Sequence, residues 1–205
     1  MFHPTALVES EEIGDQTRVW AYAHVMAGAK IGRNCNIGDH AFIERGAVIG
    51  DNVTIKNGVC VWEGVEIGDG VFVGPQAVFT NDPYPRSPRL PLVQERYAGK
   101  AWLRATRIGE GATIGAAAII LCGVTIGAYA FIGAGALVCE NVPPQALYLG
   151  VPAQQRGWVC LCGRPMHRDG ALWICPECAR EYEEEEQLCG SEMRCCLRAR
   201  LLTAA

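Results

Sequence analysis

Residues 37–79, cut into sixes, read IGDHAF IERGAV IGDNVT IKNGVC VWEGVE IGDGVF VGPQAV F. Every block opens on Ile or Val until Phe79 closes the series. The second residue is usually Gly, and the fifth is small or β-branched, as in Ala41, Ala47, Val53 and Val59. An α-helix repeats every 3.6 residues and an ordinary strand every 2, so a period of six fits neither. It fits a solenoid of very short strands joined by sharp corners, each block forming one side of a triangular prism. The opening aliphatic points inward, the small residue fills the corner, and Gly takes backbone angles that a Cβ would forbid. Three blocks close a coil, so residues eighteen apart stack at about the inter-strand spacing of 4.8 Å.

The beat extends back through Ile31, Val25, Val19 and Ile13, and it resumes out of phase at Ile108, Ile114, Ile120, Ile126, Ile132 and Val138. It predicts an all-β parallel β-helix of about six coils. Residues 1–12 read as a lead-in, and Pro143-Pro144 ends the repeat because neither proline can donate a strand hydrogen bond. Between the two runs lies NDPYPRSPRLPLVQERYAGKAWLRAT, residues 81–106, with four prolines and five Arg or Lys residues. That stretch cannot sit inside a prism. It is expected to loop out, and long loops on repeat scaffolds tend to carry function.

Composition narrows the function classes. Half of the 205 residues are hydrophobic, a fifth are charged, and the net charge is −4. There is no basic stripe, which argues against a nucleic-acid partner. No apolar run is long enough to span a membrane and the N-terminus carries no signal pattern, so a cytoplasmic protein is expected. Eleven cysteines in such a compartment suggest metal before disulfide.

Stacking on the eighteen-residue period puts Glu63 directly beneath Asn81, with Arg45 one coil lower. A carboxylate and an amide thus meet where the chain leaves the prism for the loop. This column fits either a polar site on a rigid wall or a solvated face carrying an ordinary Arg45–Glu63 pair. After the loop, Ala116 stacks with Ala134 and Ala117 with Gly135, beside Gly115 and Gly133. Such a smooth track suits a thin ligand such as a pantetheine arm. It also suits a repeat that simply favours small residues. His24 and His40 occupy different positions in their blocks and do not stack; His24 faces outward.

The last segment, residues 158–205, is expected to form a separate Cys-rich module after a prism domain of 1–157. Cys160-Leu-Cys162 and Cys175-Pro-Glu-Cys178 flank a hairpin expected to turn at Asp169-Gly170. Four thiolates suffice for a closed tetrahedral Zn²⁺ site, and a module this small needs such a crosslink to fold. His167 could replace one ligand, and Cys189, Cys195 and Cys196 could be free or hold a second metal. The acidic run at 183–186 leads into a tail that reads either as a short helix or as frayed chain.

VWEG at 61–64, VFVGP at 71–75, FTND at 79–82, YPRS at 84–87, CGVTIG at 122–127, YAFIGAGALV at 129–138 and LGVPA at 149–153 resemble one branch of the hexapeptide-repeat superfamily. That branch N-acetylates the 3-amino group of nucleotide-linked amino sugars. The resemblance covers roughly residues 3–157, and its specific part is the FTND…PRS segment. It implies a left-handed parallel β-helix and a homotrimer with active sites between subunits. Acetyl-CoA would lie in the cleft between prisms, and a UDP- or dTDP-linked amino sugar beside the loop. It implies that Asn81 adjoins the reacting amine and that Glu63 and His24 complete the catalytic set; Arg45 in the same column and Asp82 and Arg86 at the start of the loop are the candidate contacts to the sugar nucleotide. Ala116, Ala117, Ala134 and Gly135 would line the coenzyme. Gln154 replaces the basic residue that family members often carry after GVPA, leaving Arg156 to compensate.

Two other functions fit the same prism. An O-acetyltransferase would need a base, for which His24 is the candidate. A non-catalytic scaffold with a zinc-ribbon interaction module is the other, since fold alone does not fix function. The loop and the FTND segment favour the N-acetyltransferase.

Overall fold

The computed structural model describes residues 1–189 and 192–199, with side chains outside 186–195. The hexads form three parallel sheets that wrap one narrow core. The first face stacks Leu7–Val8, His24–Val25, Phe42–Ile43, Cys60–Val61, Val78–Phe79, Ile119–Ile120 and Leu137–Val138. The second stacks Lys30–Ile31, Val48–Ile49, Val65–Ile67, Thr106–Ile108 and Thr125–Ile126. The third stacks Arg18–Val19, Asn36–Ile37, Thr54–Ile55, Phe72–Val73, Thr113–Ile114, Phe131–Ile132 and Ala146–Leu149. The opening aliphatic of each hexad from Val19 to Val138 is buried, as are the corner residues such as Ala23, Cys35, Val53 and Ala118. Each buried Ile or Val contributes on the order of 1.5–3 kcal/mol of hydrophobic stabilisation.

The six coils expected from the beat become seven parallel rungs on the first and third faces, because one out-of-step strand joins at each end. Phe2 bridges Val19 and Val8 pairs with Val25, a spacing of 17. At the other end Ile126 bridges Val142 and Ile132 pairs with Tyr148, a spacing of 16. The lead-in is therefore the first coil. Across the loop Ile67 pairs with Ile108, 41 positions on, so the excursion inserts 23 residues without disturbing the stacking on either side.

The strand Gln154–Trp158 then turns back antiparallel on Ala146–Leu149 and covers the end of the third face. Trp158, Met166, Cys160, Cys175 and Tyr182 are buried in the same cluster as the prism core, so the Cys-rich segment packs on the end of the prism. Its hairpin pairs His167–Asp169 with Leu172–Ile174, which moves the expected turn on by one residue to Gly170-Ala171. Among the described residues the tail is strand, neither helix nor frayed chain. Glu181–Cys189 and Glu192–Ala199 form a long antiparallel hairpin, with Glu183 opposite Arg198 across the ladder. Arg198 also pairs diagonally with Glu185 at 3.3 Å. The side chains of Cys189 and Cys195 lie outside the described residues; Cys196 is half-buried.

Candidate active site

The corner between the first and second faces differs from the other two. Its positive-φ residues are glycines only: Gly28, Gly46, Gly64 and, after the loop, Gly123. The other corners accept Asn34, Asn52, Tyr22, His40 or Gln76 in that conformation. The glycines make room for side chains of the next coil. A Cβ on Gly28 would lie 3.2 Å from Arg45 Cγ, one on Gly46 3.1 Å from Glu63 Cγ, and one on Gly64 2.6 Å from Leu103 Cδ2.

Glu63 and Asn81 stack here as the eighteen-residue period requires. The Asn81 Nδ2 donates to the Glu63 carbonyl at 3.3 Å, and the Glu63 N–H donates to Glu44 Oε2 at 2.8 Å. Arg45 lies in the same column but does not pair with Glu63. Its Nε donates to the Ala27 carbonyl at 3.3 Å, and the cation on the Glu63 carboxylate is Lys100, from the loop. Nothing in the local sequence distinguishes Lys100 from the other basic residues of the loop; only the path of the chain selects it.

The loop leaves and returns at one point, where the Arg104 N–H donates to the Asn81 carbonyl at 2.9 Å. Asp82 holds its interior. One carboxylate oxygen accepts from the Tyr84 N–H at 2.9 Å and from Arg96, and the other accepts from the Tyr97 hydroxyl at 2.8 Å. Burial alone would raise the Asp82 pKa, but the Tyr84 N–H, the Tyr97 hydroxyl and the Arg96 guanidinium together hold it below the usual carboxylate value. Arg96 also lies over the Tyr97 ring at 5.2 Å. Both Asp82 oxygens are thus engaged within the loop, and the Arg86 guanidinium donates to the neighbouring Pro85 carbonyl at 3.1 Å. Tyr84, Arg96, Trp102 and Arg104 line a cleft of about 670 Å³ within the loop.

His24 stands apart from this corner. It lies on the first face two rungs from Cys60, with Phe42 between them. Its ring meets Phe42 edge-on at 5.3 Å. Its Nε2 is 3.5 Å from Glu9 Oε2, close enough for attraction when protonated, yet it forms no hydrogen bond among the described residues. A single protomer does not bring His24 to Glu63.

The small-residue track lies at the corner between the third and first faces. Ala117, Ala134 and Gly135 are exposed there, Ala116 is half-buried, and the Gly135 N–H donates to the Ala116 carbonyl at 2.8 Å. Arg156 is exposed on the end-covering strand.

In the terminal module, Cys160, Cys162, Cys175 and Cys178 converge, with all four Sγ atoms within 4.8 Å of one another. Cys160 and Cys178 are 3.5 Å apart, Cys162 and Cys175 3.5 Å, and Cys162 and Cys178 3.9 Å. The two turns are built alike. The Cys160 N–H reaches the Arg164 carbonyl and the Cys175 N–H the Arg180 carbonyl, both at 2.9 Å. His167 is exposed on its strand and lies outside the cluster.

Among known proteins, the profile of the bacterial transferase hexapeptide (six repeats) family matches residues 12–45, 46–81 and 105–140. The dTDP-3-amino-3,6-dideoxy-alpha-D-galactopyranose 3-N-acetyltransferase of Aneurinibacillus thermoaerophilus is 44% identical over 88% of this chain and 89% of its own. Two solved structures are more distant. The acetyltransferase domain of PglB from Neisseria gonorrhoeae, in complex with acetyl coenzyme A, is 23% identical with a TM-score of 0.47 over 75% of this chain. PerB from Caulobacter crescentus, with CoA and GDP-perosamine, is 26% identical with a TM-score of 0.44 over 76% of this chain. The chain spans 56% of the length of each of those two structures. The profile match over both runs of hexads and the 44% identity show that this chain belongs to the bacterial hexapeptide transferase family, as an acyltransferase on a left-handed parallel β-helix.

Proposed function

We propose that the protein is an acetyl-CoA-dependent N-acetyltransferase acting on the amino group of a nucleotide-linked amino sugar, with a dTDP or UDP carrier. The observation that carries this is the 44% identity to an enzyme named for that activity, extending through the Glu63–Asn81 corner and its loop. A neutral primary amine is already a good nucleophile toward a thioester. The protein has to hold it in a near-attack geometry, take up its proton and stabilise the oxyanion. Glu63, half-buried at the corner with its carboxylate on Lys100 of the loop, is the proton acceptor in this reading. Asn81 orients the amine or the thioester carbonyl. As nitrogen bonds to the acetyl carbon, the carbon–sulfur bond breaks and CoA leaves as a thiol.

The working unit in this reading is a homotrimer. The outward row of the first face, Leu7, Phe42, Cys60, Val78, Ile119 and Leu137, is apolar apart from His24, whereas the second face shows Lys30, Glu66 and Arg107 beside Val48 and Thr125. An exposed apolar wall is a candidate for covering by a second copy. Packing there would set His24, the Glu63 corner and a neighbour's small-residue track around one groove, and would give Ala116, Ala117, Ala134, Gly135 and Arg156 a coenzyme to contact. Arg86 and Arg45 then serve the sugar nucleotide, with Asp82 acting through the shape of the loop.

For Cys160, Cys162, Cys175 and Cys178 we propose structural Zn²⁺. A Zn–S bond of about 2.3 Å implies a tetrahedral S–S edge of about 3.8 Å. The separations of 3.5–3.9 Å fit that edge, and a disulfide would need about 2.05 Å. With four thiolates no position remains for a substrate. Reduced thiols fit a cytoplasmic setting, and among the described residues no helix is long and apolar enough to cross a membrane.

A thiol-release assay tests the function, using acetyl-CoA with a panel of UDP- and dTDP-linked amino sugars beside hydroxyl acceptors. CoA release with an amino sugar, and acetylated amine by mass, is the expected result. Release only with hydroxyl acceptors, or with none, would overturn the reading.

A further inference from the structure

The reaction outlined above leaves one contact at the corner without a role. Lys100 ion-pairs through Nζ with Glu63 Oε2, across 37 residues of chain. A lysine ammonium is a primary alkylammonium, which is also what an amino-sugar acceptor presents at neutral pH. We infer that Lys100 is an internal occupant of the acceptor's ammonium subsite, and that an acceptor reaches Glu63 by displacing it. This inference rests on the reading of Glu63 as the group that receives the amine.

Three features make displacement feasible. Glu63 has no second cation among the described residues, because Arg45 is turned down to the Ala27 carbonyl. An acceptor amine that pairs with Oε2 therefore takes the position that Lys100 holds. The Lys100 side chain is 67% exposed, so its ammonium can return to water at little cost. The loop does not depend on this pair to stay folded. Its base is closed by Asn81 and Arg104, its interior by Asp82 with Tyr84, Arg96 and Tyr97, and its returning limb by the Leu103 N–H on the Lys100 carbonyl at 3.0 Å. Release of the side chain frees the carboxylate and loosens only the limb around residues 98–104.

The competition has a sign that other roles lack. An exposed pair of this kind is worth roughly a two- to five-fold shift in an equilibrium. Lys100→Met should therefore lower the KM for the best acceptor of the thiol-release panel by about that factor. The kcat and the KM for acetyl-CoA should stay where they are, and amide hydrogen exchange over 98–104 should speed up in the ligand-free protein. An acceptor KM that is unchanged or raised would overturn the inference, since a residue that helps to bind the acceptor raises KM when removed.

A second experiment needs no turnover, so it separates failure of this inference from failure of the proposed function. Methylammonium chloride added to the wild-type protein should speed exchange over 98–104 toward the Lys100→Met rate. Tetramethylammonium chloride at the same concentration, with no N–H to donate, should not. Equal effects of the two salts, or none from either, would remove Lys100 from the subsite.

Discussion

The side-chain amide of Asn81 donates to the backbone carbonyl of Glu63, one coil below, at 3.3 Å. The bond fixes which way the amide faces, with Nδ2 down toward the coil and Oδ1 away from it. Asn81→Ala deletes the group, and kcat/KM should fall about a hundred-fold, the scale of a misplaced substrate. Stability should change by only about 1 kcal/mol, the net worth of one hydrogen bond. Asn81→Asp is the sharper probe, because it sets a carboxylate against the Glu63 carbonyl. It should cost more activity than Asn81→Ala and should loosen the root of the loop. Steady-state kinetics and thermal melts on both variants check this.

Gly64 links the coil to the returning limb of the loop. Its φ is +84°, and an added Cβ would meet Leu103 Cδ2 at 2.6 Å. Gly64→Ala should lose about 1–2 kcal/mol from the left-handed backbone alone. It should also push Leu103 outward and raise the acceptor KM. Gly99, in the same loop, has open space around an added Cβ among the described residues. Gly99→Ala should melt and turn over like the wild type. Equal behaviour of the two variants would show that the loop does not seat on the coil.

Asp82 gives the loop a dependence on pH. Its folded pKa lies below the ordinary carboxylate value, so the ionised form binds its partners more tightly than the protonated form does. That contribution is complete above the unfolded pKa of about 3.9 and disappears as pH falls through the lower folded value. Loop order should hold throughout neutral and mildly acidic pH and be lost only below about pH 4. Trp102, which packs near Tyr97 at 5.7 Å, reports on it. Its fluorescence should shift in that acid range in the wild type, and at every pH in Asp82→Asn. A shift centred above pH 5 in the wild type would assign the loop's order to another group.

The period of six carried the fold because each interior position needs only an aliphatic side chain, and a strict repeat announces that need. It carried the Glu63–Asn81 stacking for the same reason. It missed the two terminal coils, where spacings of 17 and 16 bring Val8 and Tyr148 into line instead of the residues expected by counting. At a free end the coil has one neighbour only, so a residue can be dropped without misaligning a second rung. The Lys100–Glu63 and Asp82–Arg96 pairs were illegible for a different reason. They depend on where an aperiodic loop turns back, and no repeat reports that path. The tail hairpin was obscured because its first strand carries the unbroken acidic run 183–186, which reads as solvated chain, and shows no period of two.

The Cys-rich module closes the open end of the prism, and this sets what loss of its metal should do. The strand Gln154–Trp158 covers the last rung, and Gln145 and Val159 exchange hydrogen bonds at 2.7 and 3.1 Å. Trp158, at the end of that strand, and Tyr182 are buried, and the Tyr182 hydroxyl lies 3.2 Å from Cys160 Sγ. Metal analysis of the purified protein should find one zinc per chain, and Cys178→Ser should reduce it. A structural zinc is folding free energy for the segment that binds it, so that segment should open when the ion leaves. The prism core from Val19 to Val138 makes its own rung-to-rung contacts and should stay closed. Chelation should then speed amide exchange over 154–185 and quench Trp158 while leaving exchange at Ile55 and Ile114 unchanged. The Glu63 corner lies several rungs away, so kcat should survive chelation. Collapse of protection throughout the prism would mean that the end cap, rather than the stacked hexads, holds the coil together.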